Sequence, residues 1–190
     1  VYFMRTDRPT NELKKQVKGL PIIGRGAFTK CYELSAGEVL LLSCDPIKEC
    51  NALGWMPDSD RLVSLERVDY DGIFTLYKAP KLPKFKVGDL SLPEYALFKQ
   101  LKKFCSSLSW PQNDHKRLYY FVDQLNASEL PEEIKELLID CAESCMNFGQ
   151  KLGFEFSPRN LSTKDGKLIF LDCFYLLDIL QAVRTGKVRV

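Results

Sequence analysis

Three side chains in the last quarter of the sequence carry oxygen atoms at an orderly spacing: Glu155, Asn160 five residues later, and Asp172 a further twelve on. A carboxylate, an amide and a second carboxylate are hard oxygen donors of the kind that hold a magnesium nucleotide, and a loop followed by a hairpin brings residues at this spacing together. Taken singly, the same residues read as a solvated loop acid, a turn residue and a helix cap.

Far upstream lies a glycine turn, Ile23-Gly24-Arg25-Gly26-Ala27-Phe28-Thr29-Lys30-Cys31-Tyr32. Glycines let a backbone approach a phosphate closely and aim N–H groups at it, and Phe28 suits a cap over the turn. A dinucleotide fingerprint needs a helix after the turn, whereas alternation through Cys31, Tyr32 and Leu34 predicts a strand. A plain hairpin uses glycines in the same way, so the order of the three segments carries more than any one of them.

The elements that must position these residues change period once along the chain. Leu20–Ile23, Lys30–Leu34, Glu38–Cys44, Leu62–Val68 and Gly72–Tyr77 are short and rich in β-formers, and predict an antiparallel sheet interrupted by one small helix, Ile47–Leu53. A proline- and lysine-rich connector, Lys81-Leu-Pro-Lys-Phe-Lys86, precedes helical spacing over Pro93–Leu108 and Pro131–Leu152. The second helix is expected to bury Ile134, Leu138, Cys141, Cys145 and Phe148. Two β-like runs, Asn160–Ser162 and Lys167–Leu171, flank Thr163-Lys-Asp-Gly166, a strong hairpin signal.

Composition bounds the function. The 190 residues carry 27 Lys and Arg against 25 Asp and Glu, and 45% are hydrophobic, which suits one globular unit with a real core. No apolar run approaches the roughly 18 residues of a membrane-spanning helix. The opening Val1-Tyr2-Phe3-Met4-Arg5 has no extended apolar stretch with a small-residue cleavage site, and a cytoplasmic location is expected. Seven cysteines, an odd number without a Cys-x-x-Cys pair, predict reduced core thiols. The single histidine, His115, sits in a polar turn-like stretch, which excludes chemistry needing two histidines.

With these motifs in this order the sequence resembles the protein kinase-like fold, and within it the small serine/threonine kinases of short-tailed bacteriophages. The resemblance covers about residues 20 to 178, on Gly24-Arg-Gly26-Ala-Phe28, a hinge near Leu76 to Pro80, the loop Glu155 to Asn160, and Asp172. It implies an α+β bilobal fold: an N-lobe over residues 1–80 with an antiparallel sheet and one short helix, and a reduced, mainly helical C-lobe over 81–190. It also implies ATP and Mg²⁺ as cofactors. Glu155 then takes the catalytic position, Asn160 and Asp172 hold the metal, and Gly24, Gly26, Phe28, Cys31, Leu76 and Lys78 contact the nucleotide.

The sequence departs from that pattern at several points. Glu155 stands where the family has an Asp, one methylene shorter, and about 1 Å of misplacement can cost a hundredfold in rate. Thr29 replaces the third glycine, and Asp172 is followed by Cys173 rather than glycine. The strand expected to present a phosphate-binding lysine, Glu38-Val-Leu-Leu-Leu-Ser-Cys44, contains none. Alternation turns Lys30 away from the nucleotide side, and Lys48 reads as a solvated surface cation. Only 18 residues follow Asp172, too few for the segment and helical subdomain that usually hold a protein substrate.

Two function classes follow. One is a minimal Ser/Thr kinase acting on host proteins or on itself, in the host cytoplasm if the chain is phage-encoded; the other is a pseudokinase that captures and inhibits a host protein without transfer. A nucleic-acid partner would use Lys81, Lys84, Lys86, Lys99, Lys102 and Lys103, but the net charge of +2 and the acidic run Glu129 to Glu143 argue against it. No membrane partner is expected.

Overall fold

The structure, a computed structural model, describes residues 6–190. The opening Val1 to Arg5, where no cleavable signal is expected, lies outside the described residues. In chain order the elements are α1 (Asn11–Val17), β1 (Ile22–Arg25), β2 (Thr29–Glu33), β3 (Glu38–Ser43), α2 (Ile47–Ala52), β4 (Glu66–Tyr70), β5 (Thr75–Pro80), α3 (Leu92–Ser107), α4 (Arg117–Ala127), α5 (Glu132–Cys145), β6 (Leu152–Phe154), β7 (Leu161–Lys164), β8 (Lys167–Phe170), β9 (Phe174–Leu176) and α6 (Leu177–Arg184). The α+β class with an antiparallel five-stranded sheet is as expected. Among the described residues no helix is long and apolar enough to cross a membrane.

The chain forms two compact units. The first runs through Leu53, resumes over Ser64–Lys81 and closes with Asp178–Val190; the second comprises Gly54–Val63 and Leu82–Leu177. A break at residue 80 therefore misses two exchanges, and each has a physical cause. The C-terminal tail returns to the first unit because Asp7 bridges Val188, while Val188 and Val190 pack against the sheet core. The stretch Gly54–Val63 joins the second unit through Arg61, described below.

In the first unit the strand order is β1-β2-β3-β5-β4, antiparallel throughout. Register places Cys31 opposite Leu41 and Leu41 opposite Tyr77, so these share one face; Lys30, Leu42 and Leu76 share the other. The second face is covered by α1, whose Leu13 and Val17 pack with Tyr32, Leu40, Leu42, Phe74 and Leu76. Thr10 caps α1 through its side chain, and its own N–H donates to Asp71 Oδ2 at 3.0 Å, fixing the helix to the β4–β5 turn. Burial pushes the Asp71 carboxyl up, yet N–H donors from Phe74, Ile73 and Thr10 outweigh it and hold the group below its usual range. On the first face, Tyr77 donates its hydroxyl proton to Glu49 of α2 at 2.7 Å.

In the second unit α5 begins where expected but ends at Cys145, seven residues before Leu152. Ile134, Leu138, Cys141 and Cys145 are buried, whereas Phe148 lies past the helix, 39% exposed, stacked on Trp55. Gly149 and Gly153 weaken helical propensity there, and Leu152–Phe154 gains a ladder with Phe174–Leu176 instead. Helix α4 escaped the sequence reading because one position of its inward stripe Arg117, Phe121, Leu125 is a charged residue. The Arg117 guanidinium is satisfied inside, donating from Nε to the Leu152 carbonyl and lying 4.1 Å above the Trp110 ring. The β7–β8 hairpin turns through Asp165 and Gly166, both at positive φ (52° and 78°), the geometry that a two-residue turn demands.

Arg61 ties this unit together. It forks onto Glu94, near the start of α3, at 2.6 and 3.0 Å, and donates to the Leu168 carbonyl of β8 at 3.1 Å; Glu94 Oε1 also accepts the Leu168 N–H at 2.9 Å. Burial pushes the Glu94 carboxyl up, but the Arg61 guanidinium and the Leu168 amide prevail and hold it below its ordinary value of 4.5. A carboxyl depressed in the folded state contributes stability above that ordinary value, and the contribution is lost as pH falls through the depressed one. Wild-type protein should therefore lose stability on acidification below 4.5 along a slope that Glu94→Gln lacks, as read by urea unfolding at stepped pH. Arg61→Met, which strands a buried carboxylate, should cost about 3–5 kcal/mol at neutral pH.

Candidate functional site

Residues 154–160 are set by two aromatic anchors on either side of Glu155. Phe154 packs against Phe121 and Phe174, each with ring centroids 5.1 Å away, and Phe156 packs against Phe98 at 5.5 Å. Glu155 between them keeps a side chain 45% exposed. Its backbone N–H donates to the Cys173 carbonyl at 2.8 Å, which ties the loop to the segment after β8.

Asn160 completes the seam. Its carbonyl accepts the N–H of Leu171 at 2.9 Å, the N–H of Asp172 at 3.4 Å and the Cys173 thiol at 3.6 Å. Its side-chain amide donates to Glu155 Oε2 at 3.3 Å. In the second unit Asn160 thus touches the Glu155 side chain through its amide and the Asp172 backbone through its carbonyl. The other Glu155 oxygen accepts from Arg159 at 3.2 Å, a partner the sequence reading had not singled out, although its i, i+4 spacing was visible. Cys173 is buried, and its thiol is pushed well up, first by desolvation and then by the neighbouring Asp172 charge.

Among the described residues no cluster of three or more His, Cys, Asp and Glu is placed to share an ion. The donor set is two carboxylates and one amide, all oxygen, and Asn160 spends its N–H₂ on Glu155, which leaves Oδ1 as the amide's acceptor. That chemistry fits a hard divalent cation of the magnesium class rather than zinc.

In the first unit the glycine turn joins β1 to β2. Gly26 N–H donates to the Thr29 carbonyl at 2.8 Å, so this donor closes the turn. The Phe28 carbonyl accepts from Cys44 N–H at 3.0 Å and from the Ser43 hydroxyl at 3.2 Å, while Thr29 and Ser43 hydroxyls meet at 2.7 Å. Neither Gly24 nor Gly26 has a positive φ, and an added Cβ would meet nothing nearer than 3.4 Å at Gly24 or 3.8 Å at Gly26.

The remaining expected nucleotide contacts divide between the two faces of the sheet. Cys31 is half-buried on the α2 face, its thiol raised by desolvation and lowered in turn by the ammonium groups of Lys48 and Lys81. Leu76 is fully buried on the α1 face, packed in the core, so its side chain shares no face with Cys31. Strand alternation alone determines that Cys31 and Leu76 lie on opposite faces. Lys78 lies on the Leu76 face near two carboxylates, Glu66 at 3.5 Å and Glu38 at 3.8 Å.

Lys48 is not the solvated cation its sequence context suggested; it is 8% exposed. Short helix α2 buries it because Ile47, Lys48 and Cys50 face inward together. Its charge bears on both Cys31 and Cys44, which locates a cation on the Cys31 side of the sheet. Lys30, conversely, lies on the α1 face. His115 is exposed and bonded through Nδ1 to Gln150 at 2.8 Å.

No family model and no curated protein matches the chain. Among solved structures it is similar to the APH(2")-IIa in a complex with gentamicin, at 14% identity and a TM-score of 0.40, over 94% of this chain and 84% of that one. It is also similar to the apo form of a thermostable mutant of aminoglycoside phosphotransferase APH(4)-Ia, at 13% identity and 0.38, over 92% and 79%. A ternary complex of an APH(4)-Ia mutant with AMP-PNP and hygromycin B matches at 11% identity and 0.38, over 87% and 73%.

Gly153 supports the loop from behind. A Cβ there would lie 2.3 to 2.7 Å from Tyr175 ring atoms, too close for any real contact. Gly153→Ala should therefore cost about 1–3 kcal/mol by overpacking, and Gly153→Ala with Tyr175→Leu should recover much of it. Urea denaturation of the four-member cycle measures both.

Proposed function

We propose that the chain is an atypical kinase-like phosphotransferase that moves the γ-phosphoryl group of ATP to a Ser or Thr hydroxyl. The observation that carries this reading is the seam at Asn160, whose side chain holds Glu155 and whose carbonyl holds the backbone of Asp172, the two residues that bear the carboxylates. The glycines add support. The fold does not require glycine at residues 24 and 26, where a Cβ fits, whereas a phosphate drawn against the backbone does.

In this reading Glu155 accepts the proton of the attacking hydroxyl. The hydroxyl oxygen bonds to the γ-phosphorus as the bond from that phosphorus to the β–γ bridging oxygen breaks, and ADP leaves. Asn160 orients the carboxylate through Oε2, and Arg159 must yield Oε1 for it to act. Asn160 and Asp172 would hold Mg²⁺, which when bound neutralises phosphate charge. Within the first unit, Lys48 is a cation on the Cys31 face of the sheet, where the strand lysine is absent. The acceptor on a host protein or on the chain itself, and a cytoplasmic setting, extend the resemblance to phage kinases.

One observation favours the alternative, a binding module without transfer: Gly26 N–H is already engaged by Thr29, so the turn has one fewer donor to aim at phosphate. Incubation with labelled ATP and Mg²⁺, alone and with a bacterial lysate, separates the two. Transfer that Asp172→Asn abolishes and Lys48→Met weakens is the expected result. Gly26→Ala should weaken nucleotide binding while shifting stability by no more than about 0.5 kcal/mol. Phosphorylation unchanged in Asp172→Asn removes the assignment, and no nucleotide binding at millimolar MgATP selects the binding module.

A further inference from the structure

The first unit contains a cavity of about 840 Å³ on the α1 side of the sheet. Six cationic side chains line it, Arg8, Lys14, Lys15, Lys18, Lys30 and Arg189, against one carboxylate side chain, Glu12. They arrive from three separate stretches of chain: the segment through α1, strand β2, and the C-terminal tail. A helix dipole accounts for lysines at the end of α1, but not for Arg8, Lys30 and Arg189 converging on the same space.

Among the described residues none of the six is in an ion pair. Tyr32 and Leu42 form an apolar floor. The Lys30 ammonium is held below its usual range, first by partial burial and then by Arg25, Arg189, Arg8 and Lys14. Like charges kept together in a concavity cost stability unless an anion joins them. We propose that this cavity binds a compact ligand carrying several phosphate groups.

Three features favour that class over an extended polyanion. The volume lies within the range of about 300–1,000 Å³ typical of small-ligand sites. The cations come from three stretches of chain that line one cavity, not from a single helix or strand that would offer a line of charge to a nucleic-acid backbone. Arg8 and Arg189 add planar forks that match phosphate oxygens in pairs. A free organic phosphate and a lipid headgroup offer the same chemistry.

The test uses the whole chain with chelator and without magnesium, so that the metal-dependent site contributes nothing, and Asp172→Asn serves as a control. Inositol hexakisphosphate is the soluble probe; phosphatidylcholine vesicles with and without phosphatidylinositol bisphosphate are the lipid probe. Saturable binding at physiological salt, weakened about tenfold or more in Arg8→Ala/Arg189→Ala and unchanged in Asp172→Asn, is expected. Preference for the soluble probe or for the vesicles identifies the source, and either supports the site. The proposal is overturned by absence of saturable binding at millimolar probe, or by affinity unchanged in the double variant. It is equally overturned if polyglutamate or an oligonucleotide competes at the same phosphate- or charge-equivalent concentration. Both arginines are exposed, and removing two like charges relieves repulsion, so without ligand the double variant should unfold at or above the wild-type midpoint.

Discussion

The second unit depends on a two-pronged ion pair. Arg61 comes from the long connection between α2 and β4, Glu94 from the first turn of α3, and both are bonded to the backbone of Leu168 in β8. The pair therefore sets the position of the β7–β8 hairpin. Asn160 immediately precedes that hairpin and Asp172 follows it, so the spacing between the two oxygen donors is fixed by a turn whose far end is fastened to a charge pair. Desolvating two ions is costly, and their mutual attraction repays it only with good geometry and further hydrogen bonds. Here the guanidinium and the carboxylate each have an extra backbone partner. What the arrangement adds over an apolar contact is direction, because a fork on a carboxylate permits one orientation of the hairpin.

Much of this was legible in the sequence, for identifiable reasons. The five strands and α2 were visible because β-branched and aromatic residues cluster between turns. The Thr163–Gly166 turn was visible because Asp-Gly has few other uses between apolar runs. The backbone contact between Asn160 and Asp172 followed from that hairpin. What stayed hidden depended on tertiary partners. Helix α4 has arginine on its inward face, satisfied by a carbonyl and an aromatic ring that lie 35 and 7 residues away in sequence. The end of α5 is set by competition with strand β9, and the burial of Lys48 by the docking of a two-turn helix that periodicity cannot orient.

The two faces of the first unit's sheet have divergent chemistry. One carries Cys31, Leu41 and Tyr77 under α2, with Lys48 and Glu49 both drawn in. The other holds an apolar core under α1 and, beside it, a concentration of positive charge. A net charge of +2 conceals this, since the compensating acids lie elsewhere, several of them exposed along α5. Overall charge is a poor guide to local field in a chain whose charges are segregated.

Asn160 performs its two tasks with different atoms. The carbonyl that gathers residues 171 to 173 belongs to the main chain and would survive almost any substitution, while the amide that touches Glu155 belongs to the side chain alone. Shape and chemistry at this position are thus inherited separately. A lineage in which the residue drifted would keep the loop and lose the contact to Glu155 in a single step, and a reversion would restore it without refolding anything. Descendants of one ancestor could alternate between a tethered and an untethered Glu155 on an unchanged backbone.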